Sequence, residues 1–241
     1  MSTIAIFGAG GGIGKALIQT LARTKPNTNI RAVSSQAQPN EFESNPHLSW
    51  QQTPHEIPAL EALCEAWHED GVVLDGVVST IGWLHRDAWM PERRIEQLNE
   101  AQLNAYFHDN VIVPSMLLKA LKPLFPKKSP SFFAQLSAKV GSIGDNELGG
   151  WYGYRASKAA LNMMLKTAAI EFKRTHKQLV ISSIHPGTTD TKLSEPFQER
   201  LPADKLFSAE QTAERMWDVI AKLKPEDSGG FWFWDGTRLP W

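Results

Sequence analysis

Apolar positions along the chain fall into two alternating patterns. Short β-rich runs occur at 3–7 (TIAIF), 30–34, 72–79 (VVLDGVVS), 132–137 and 179–184 (LVISSI), with a weaker run at 47–50 and an aromatic one, FWFW, at 231–234. Between them lie longer helical segments over 13–24, 58–67, 93–121, 152–175 and 209–223. Apolar strands alternating with helices of ten or more residues predict an α/β fold. The expected architecture is a single Rossmann-like, doubly wound parallel sheet of about seven strands with helices on both faces, one domain over 1–241. There is no internal repeat or low-complexity segment. The longest loop-like stretches are QAQPNEFESNPH and LSEPFQERLPADKLF, the second a candidate lid.

Open parallel sheets bind ligands beyond the carboxyl ends of their strands. Here those ends carry GAGGGIG, SS, TIG, SAKVGS and HPGTTDT, so small and hydroxylated residues gather at one sheet edge. The first of these follows a strand and opens a helix, the setting of a phosphate-binding turn: glycines admit a pyrophosphate closely, and the helix N-terminus stabilises its charge. Its spacing fits both G-x-x-x-G-x-G (Gly8, Gly12, Gly14) and G-x-x-G-x-x-G (Gly8, Gly11, Gly14), but not G-x-G-x-x-G, because Ile13 falls where the third glycine would stand. At the end of the second strand, where an acid would hold ribose hydroxyls, the chain has Ser34 and Ser35; the first acid, Glu41, is too far on. A carboxylate there would repel a 2′-phosphate and two hydroxyls would not, so NADP(H) is favoured over NAD(H), although the arginine often found after this strand is missing.

In YGYRASKAAL, residues 152–161, Lys158 lies four residues after Tyr154 and shares its helix face, whereas Tyr152 points elsewhere. With 25 Lys and Arg among 241 residues, such a pair arises easily by chance; the surrounding motifs decide its meaning.

Composition narrows the function. A chain with 42% hydrophobic residues and a net charge of −1 can bury one sizeable core and has no overall electrostatic footprint for nucleic acid or an anionic membrane. The lone Cys64 excludes an internal disulfide, no charged leader precedes an apolar run, and no run is long enough to span a bilayer, so a cytoplasmic protein is expected. No G-x-S-x-G supports a hydrolase, and His55-Glu56 and His68-Glu69 lack the second histidine of a zinc motif.

The glycine loop, Tyr154 and Lys158 within YRASKAALN, the asparagine of HDNVIVPS and the segment HPGTTDT occur in one order and at one spacing. Together they resemble the short-chain dehydrogenase/reductase family over essentially the whole chain, with VGSIGDNELGGWYGYRASKAALNMM closest to its C-factor/sniffer-like carbonyl reductase branch. The resemblance implies hydride transfer between NADP(H) and a carbonyl or alcohol, with Tyr154 as proton donor. Lys158 would lower the phenol pKa, a drop of roughly 3 units corresponding to about 4 kcal/mol, and would bind the nicotinamide ribose. Asn110 matches the family asparagine that supports a proton relay. Gly8, Gly11, Gly12, Ile13, Gly14, Ser34, Ser35, Thr80, Gly82, Tyr154, Lys158, Pro186, Gly187, Thr188 and Thr191 would line the cofactor. The resemblance also implies a homodimer through the segments 93–121 and 152–175, or a homotetramer using the aromatic last strand.

Three departures stand out. Phe7 replaces the threonine before the first glycine, and STIG (Ser79–Gly82) replaces NNAG. The serine of S-x-x-G, counted back from Gly141, becomes Ala138. Ser137, one residue early, is expected to substitute if a bulge re-aims it, ahead of Ser142. An alternative reading is an NADP(H)-binding regulator weakened in catalysis. Epimerases sharing the Tyr–Lys pair need more chain after the sixth strand. Trp83, Trp89 and Trp151 are the expected substrate walls, which suits a fairly apolar carbonyl.

Overall fold

The computed structural model describes residues 1–86, 89–199, 202 and 205–241. Its strands are β1 (Thr3–Phe7), β2 (Asn29–Ser34), β3 (Leu48–Gln52), β4 (Gly76–Ser79), β5 (Ser131–Leu136), β6 (Leu179–His185), the two-residue β7 (Thr188–Thr189) and β8 (Leu206–Phe207), and β9 (Gly230–Phe233). Seven of them pair in parallel in the order β3-β2-β1-β4-β5-β6-β9, while β7 and β8 form a separate small ladder. The chain winds outward from the paired β1 and β4 in opposite directions, so a crevice opens beyond their carboxyl ends, where the connections diverge.

Among the described residues six α-helices cover the sheet: α1 (Gly12–Thr24), α2 (Ile57–Glu69), α3 (Glu100–Phe107), α4 (Val113–Leu121), α5 (Tyr152–Phe172) and α6 (Ala209–Ile220). Successive strand residues point to opposite faces, and both faces are buried. Phe7, Val77, Phe133 and Ile181 meet Leu60 and Trp67 of α2, Leu117 and Leu121 of α4, and Leu161 and Leu165 of α5. Ile6, Ala32, Val78, Ala134 and Ile184 meet Leu17 and Leu21 of α1 and Met216 of α6. That two-sided burial is why the strands read as nearly continuous apolar runs.

Two expected elements differ. The strand over 72–79 begins only at Gly76, because residues 72–74 complete the exit from α2: Val72 N–H donates to Trp67 O (2.9 Å) and Leu74 N–H to Leu124 O (2.9 Å). The helix expected over 93–121 starts only at Glu100 and runs without a gap to Leu121 through a π turn. A single 3₁₀ turn spans Ile95–Gln97, Asn99 then caps α3 by accepting from Gln102 N–H (3.1 Å), and a π turn, His108–Ile112, joins α3 to α4. Inserting a π turn re-aims the side chains that follow and is a frequent device at functional sites. The last strand lies parallel to β6, and its free edge is covered by the chain itself: Leu239 N–H donates to Phe231 O (2.8 Å) and Trp241 stacks on Phe231.

Candidate active site

A cleft of about 1850 Å³ runs along the carboxyl edge of β1, β2, β4, β5 and β6. At one end the glycine loop turns from β1 into α1. Gly8 has φ +81°, and a Cβ on Gly14 would sit 2.4 Å from Gly8 O and 2.8 Å from Ala9 Cα, so the helix packs onto the turn only because that side chain is missing. Gly11, the N-cap, offers no side-chain acceptor and the first turn carries no acid. The leading N–H groups of α1 therefore face the cleft without an internal anion, which fits a pyrophosphate. Gly8, Gly11, Gly12, Ile13 and Gly14 all line the cleft, as do Pro186, Gly187, Thr188 and Thr191 from the far side of β6. The Thr191 methyl lies against Gly12, where a Cβ would meet it at 2.9 Å.

Ser34 and Ser35 also line the cleft. Ser34 is buried, with its hydroxyl accepting from Gln36 N–H (3.0 Å), whereas Ser35 is exposed. Glu41 is drawn back onto α1, where Gln19 Nε2 donates to it (3.2 Å) and Lys15 lies 4.0 Å away. The absent NNAG asparagine is compensated locally. Thr80 Oγ1 donates to Phe7 O (3.2 Å) and Gly8 O (3.1 Å), and Gln135 Nε2 donates to Ile81 O (3.1 Å), tying β4 to its neighbours.

Helix α5 brings Tyr154 and Lys158 to the middle of the cleft. Both are buried, and Lys158 Nζ lies 5.7 Å from the centre of the Tyr154 ring while donating to Leu136 O (3.3 Å). Tyr152 is 38% exposed and turns away from the cleft. Gly82 packs against the lysine: a Cβ there would stand 3.0 Å from Lys158 Nζ and 2.8 Å from Asn110 Oδ1. Burial dominates the ionisation of the pair. It pushes the Tyr154 phenol well above its usual value, with Tyr106 adding to the effect, and pulls the Lys158 ammonium down to about 8. The lowered phenol pKa expected from the lysine is thus not what the protein's own groups produce.

Asn110 is fully buried in the π turn, and its side chain is engaged away from Tyr154. Trp83 N–H donates to Asn110 Oδ1 (2.9 Å), and Asn110 Nδ2 donates to Trp83 O and Ser157 Oγ (both 3.1 Å). Its side chain fixes the Gly82–Trp83 wall rather than facing the reacting centre.

Ser137 does not take the place of the missing serine. The β5–β6 ladder stays regular to Leu136–Ile184, with Ser137 N–H donating to Ile184 O (2.8 Å), so no bulge re-aims it. Its hydroxyl instead donates to Asn162 Oδ1 (2.7 Å) beneath α5. Ser142 is buried off the cleft, accepting from Asp145 N–H (3.1 Å). Ala138 stands beside Tyr154, in one cluster with Trp83, Leu84 and Tyr106.

Aromatic rings form part of the remaining walls, with Glu92, Arg93, Gln97 and Gln102 also on the cleft. Trp83 stacks on Tyr106 at 4.5 Å, and Trp151 packs on Phe197 at 5.0 Å. Trp89 stacks behind Trp83 and does not itself line the cleft. Of the expected lid, Arg200, Leu201, Ala203 and Asp204 lie outside the described residues.

Sequence reasoning missed Glu92. Its buried carboxylate accepts from Gly153 N–H (3.2 Å) and its backbone carbonyl accepts from Trp151 N–H, so it caps the helix that carries Tyr154. Trp151, the N-cap, has φ +53° and no side-chain cap of its own. Also unforeseen was His185, half-buried at the end of β6 on the cleft, where desolvation, helped by Lys139, pulls its imidazole down to about 3 and keeps it neutral. Among the described residues no three His, Cys, Asp or Glu side chains group as a metal site, and no helix is long and apolar enough to cross a membrane.

The family model described as short chain dehydrogenase matches residues 2–202. The chain belongs to this family. An uncharacterised oxidoreductase of Schizosaccharomyces pombe is 28% identical over 247 residues, covering 98% of this dehydrogenase and 96% of the relative. Among solved structures, the carbonyl reductase Sniffer of D. melanogaster superposes with a TM-score of 0.84 at 22% identity, covering 100% of both chains. An NADPH-bound carbonyl reductase from chicken fatty liver gives 0.85 at 21%, covering 100% of this dehydrogenase and 94% of that chain. At those identities the structural likeness establishes the fold of the dehydrogenase, and the chemistry rests on its own residues.

Proposed function

We propose that this dehydrogenase reduces a fairly apolar carbonyl compound to an alcohol with NADPH, Tyr154 donating the proton. The observation that carries the reading is the buried Tyr154–Lys158 pair opening into the same cleft as the uncapped N-terminus of α1, against aromatic walls. NADPH supplies the hydride when bound. The N–H groups at Gly12 and Ile13 hold its pyrophosphate, the Gly11 N–H being donated to Gly8 O within the turn (3.0 Å), and Ser34 and Ser35 mark the end of β2 where no carboxylate repels a 2′-phosphate. Tyr154 Oη gives its proton to the carbonyl oxygen as negative charge develops there, and the Lys158 ammonium stabilises the phenolate left behind. A phenol held in its protonated form suits reduction better than alcohol oxidation, which needs a base.

Cofactor titration should give NADPH at least roughly tenfold tighter binding than NADH, about 1.4 kcal/mol. On a carbonyl panel, Tyr154→Phe should abolish nearly all turnover and leave NADPH affinity unchanged, because the hydroxyl acts in the transition state. Tyr152→Phe should stay within a few-fold of the parent. A Tyr154→Phe protein with near-normal turnover sinks the mechanism. A second reading, an NADP(H)-binding regulator, is favoured by Ala138; tight NADPH binding with no carbonyl reduced would select it.

A further inference from the structure

Resting on the carbonyl-reductase reading, the geometry points to a narrower substrate class: carbonyls whose electrophilicity comes from the substrate itself, flanked by electron-withdrawing groups. We infer this from what surrounds the position the carbonyl oxygen must take beside Tyr154 Oη. Ala138 occupies the strand end there, in extended conformation and 8% exposed, and contributes a methyl group. The hydroxyls closest in sequence are both engaged elsewhere, Ser137 with Asn162 and Ser142 with the Asp145 N–H. Tyr106 donates its own hydroxyl to Leu84 O at 2.6 Å. Leu84 is aliphatic, and the Trp83 indole N–H is enclosed without a partner, its ring lying flat against Tyr106. Tyr154 is left as the hydroxyl aimed at the reacting oxygen.

A preorganised donor to a developing oxyanion is worth about 10²–10³ in rate. Where it is missing, charge on that oxygen must be stabilised within the substrate, so the rate depends strongly on substituents that withdraw electrons. The step itself is balanced: hydride adds to the carbonyl carbon, the C=O π pair moves to oxygen, and Tyr154 supplies the proton that completes the alcohol.

The test uses ring-substituted aryl methyl ketones of similar size, from para-methoxy to para-nitro, with the 241-residue chain, NADPH, and both wild type and Ala138→Ser. Wild type should favour the nitro over the methoxy ketone much more strongly than the variant does, by about tenfold or more in the ratio of kcat/KM. Ala138→Ser should raise kcat on the methoxy ketone by about 10- to 100-fold, below the full value because the new hydroxyl is not preorganised, and raise it far less on the nitro ketone. The steep wild-type substituent dependence supports the inference even if the variant does not fold. A flat wild-type dependence overturns it, as does an equal gain by the variant on every ketone. If Trp83→Phe, rather than the state of position 138, removes the rate on unactivated ketones, the indole is the donor and the inference fails. Failure to reduce any ketone or added α-dicarbonyl, with NADPH binding intact, overturns the reductase reading and this inference with it.

Discussion

Lys158 holds an ammonium where burial opposes it, and two measurable consequences follow from the drop to about 8. In the reducing direction the charge that stabilises the phenolate disappears as pH rises through about 8, while Tyr154 remains protonated well beyond. kcat/KM should therefore fall above about pH 8 as a single ionisation, and Lys158→Arg, if it retains activity, should carry that limb upward because guanidinium stays charged. The stability consequence has the opposite sense from a paired lysine. Between about pH 8 and the ordinary lysine value of 10.5 the unfolded chain binds more protons than the folded one, so stability rises with pH across that window. Below it the cost is fully present, roughly 3 kcal/mol less the hydrogen bond to Leu136 O. Lys158→Met should accordingly be inactive yet more stable at pH 7 by about 1–3 kcal/mol, the gain shrinking toward pH 10. Denaturant titration at pH 7 and pH 10 checks this, and an unchanged or lower stability at pH 7 contradicts it. Tyr154 and Lys158 were legible in the sequence because four residues on a helix fix a shared face. The missing serine was legible only as a gap: spacing located Ala138, but the engagement of Ser137 with Asn162 depends on a partner 25 residues away.

At the scale of elements, α5 begins without a cap of its own. The acceptor comes from Glu92, 61 residues earlier, and Gly153 is needed for the approach, since a Cβ would lie 2.9 Å from Glu92 Oε1 and 2.6 Å from Tyr106 Cδ2. Glu92→Ala leaves a buried N–H without a partner and should cost about 1–3 kcal/mol in stability. It should also lower kcat several-fold, because Tyr154 lies one residue beyond the capped N–H. Glu92→Gln keeps an acceptor oxygen and should recover most of both. Equal damage from the two substitutions would mean that charge, not capping, is the contribution. In the sequence MPERR, Glu92 looks like an ordinary surface acid, and no local pattern reveals its partner. The same limit explains the late start and the π turn of the helix expected over 93–121. Its apolar content reads as one rod, whereas the start at Asn99 and the π turn around Asn110 follow from packing against α5 and the Trp83 wall.

For the whole molecule, α3 and the following π turn pack beside α5, and apolar side chains of these elements reach the surface. Phe107 is 38% exposed, Ile112 45%, Met163 66% and Ile170 57%. We expect this surface to join two copies, so that sedimentation at micromolar concentration finds more than the 26.9 kDa monomer and Met163→Glu shifts the population toward it. A parent protein that sediments only as monomer refutes this. The tail folded over β9 shields the edge that a tetramer would otherwise pair through its backbone. The parallel, doubly wound sheet and the site at its carboxyl edge were readable because each strand–helix unit is local, whereas the strand order was not read from the sequence. The aromatic walls carry one further consequence. Trp83 and Trp151 border the cleft, whereas Trp67 is sealed in the core between α2 and the sheet. Indole emission overlaps the absorption band of a reduced nicotinamide, so the cleft contains its own optical reporter: energy transfer from these two rings would register cofactor occupancy without any label, and Trp151→Phe would dim that signal while Trp67 continued to emit.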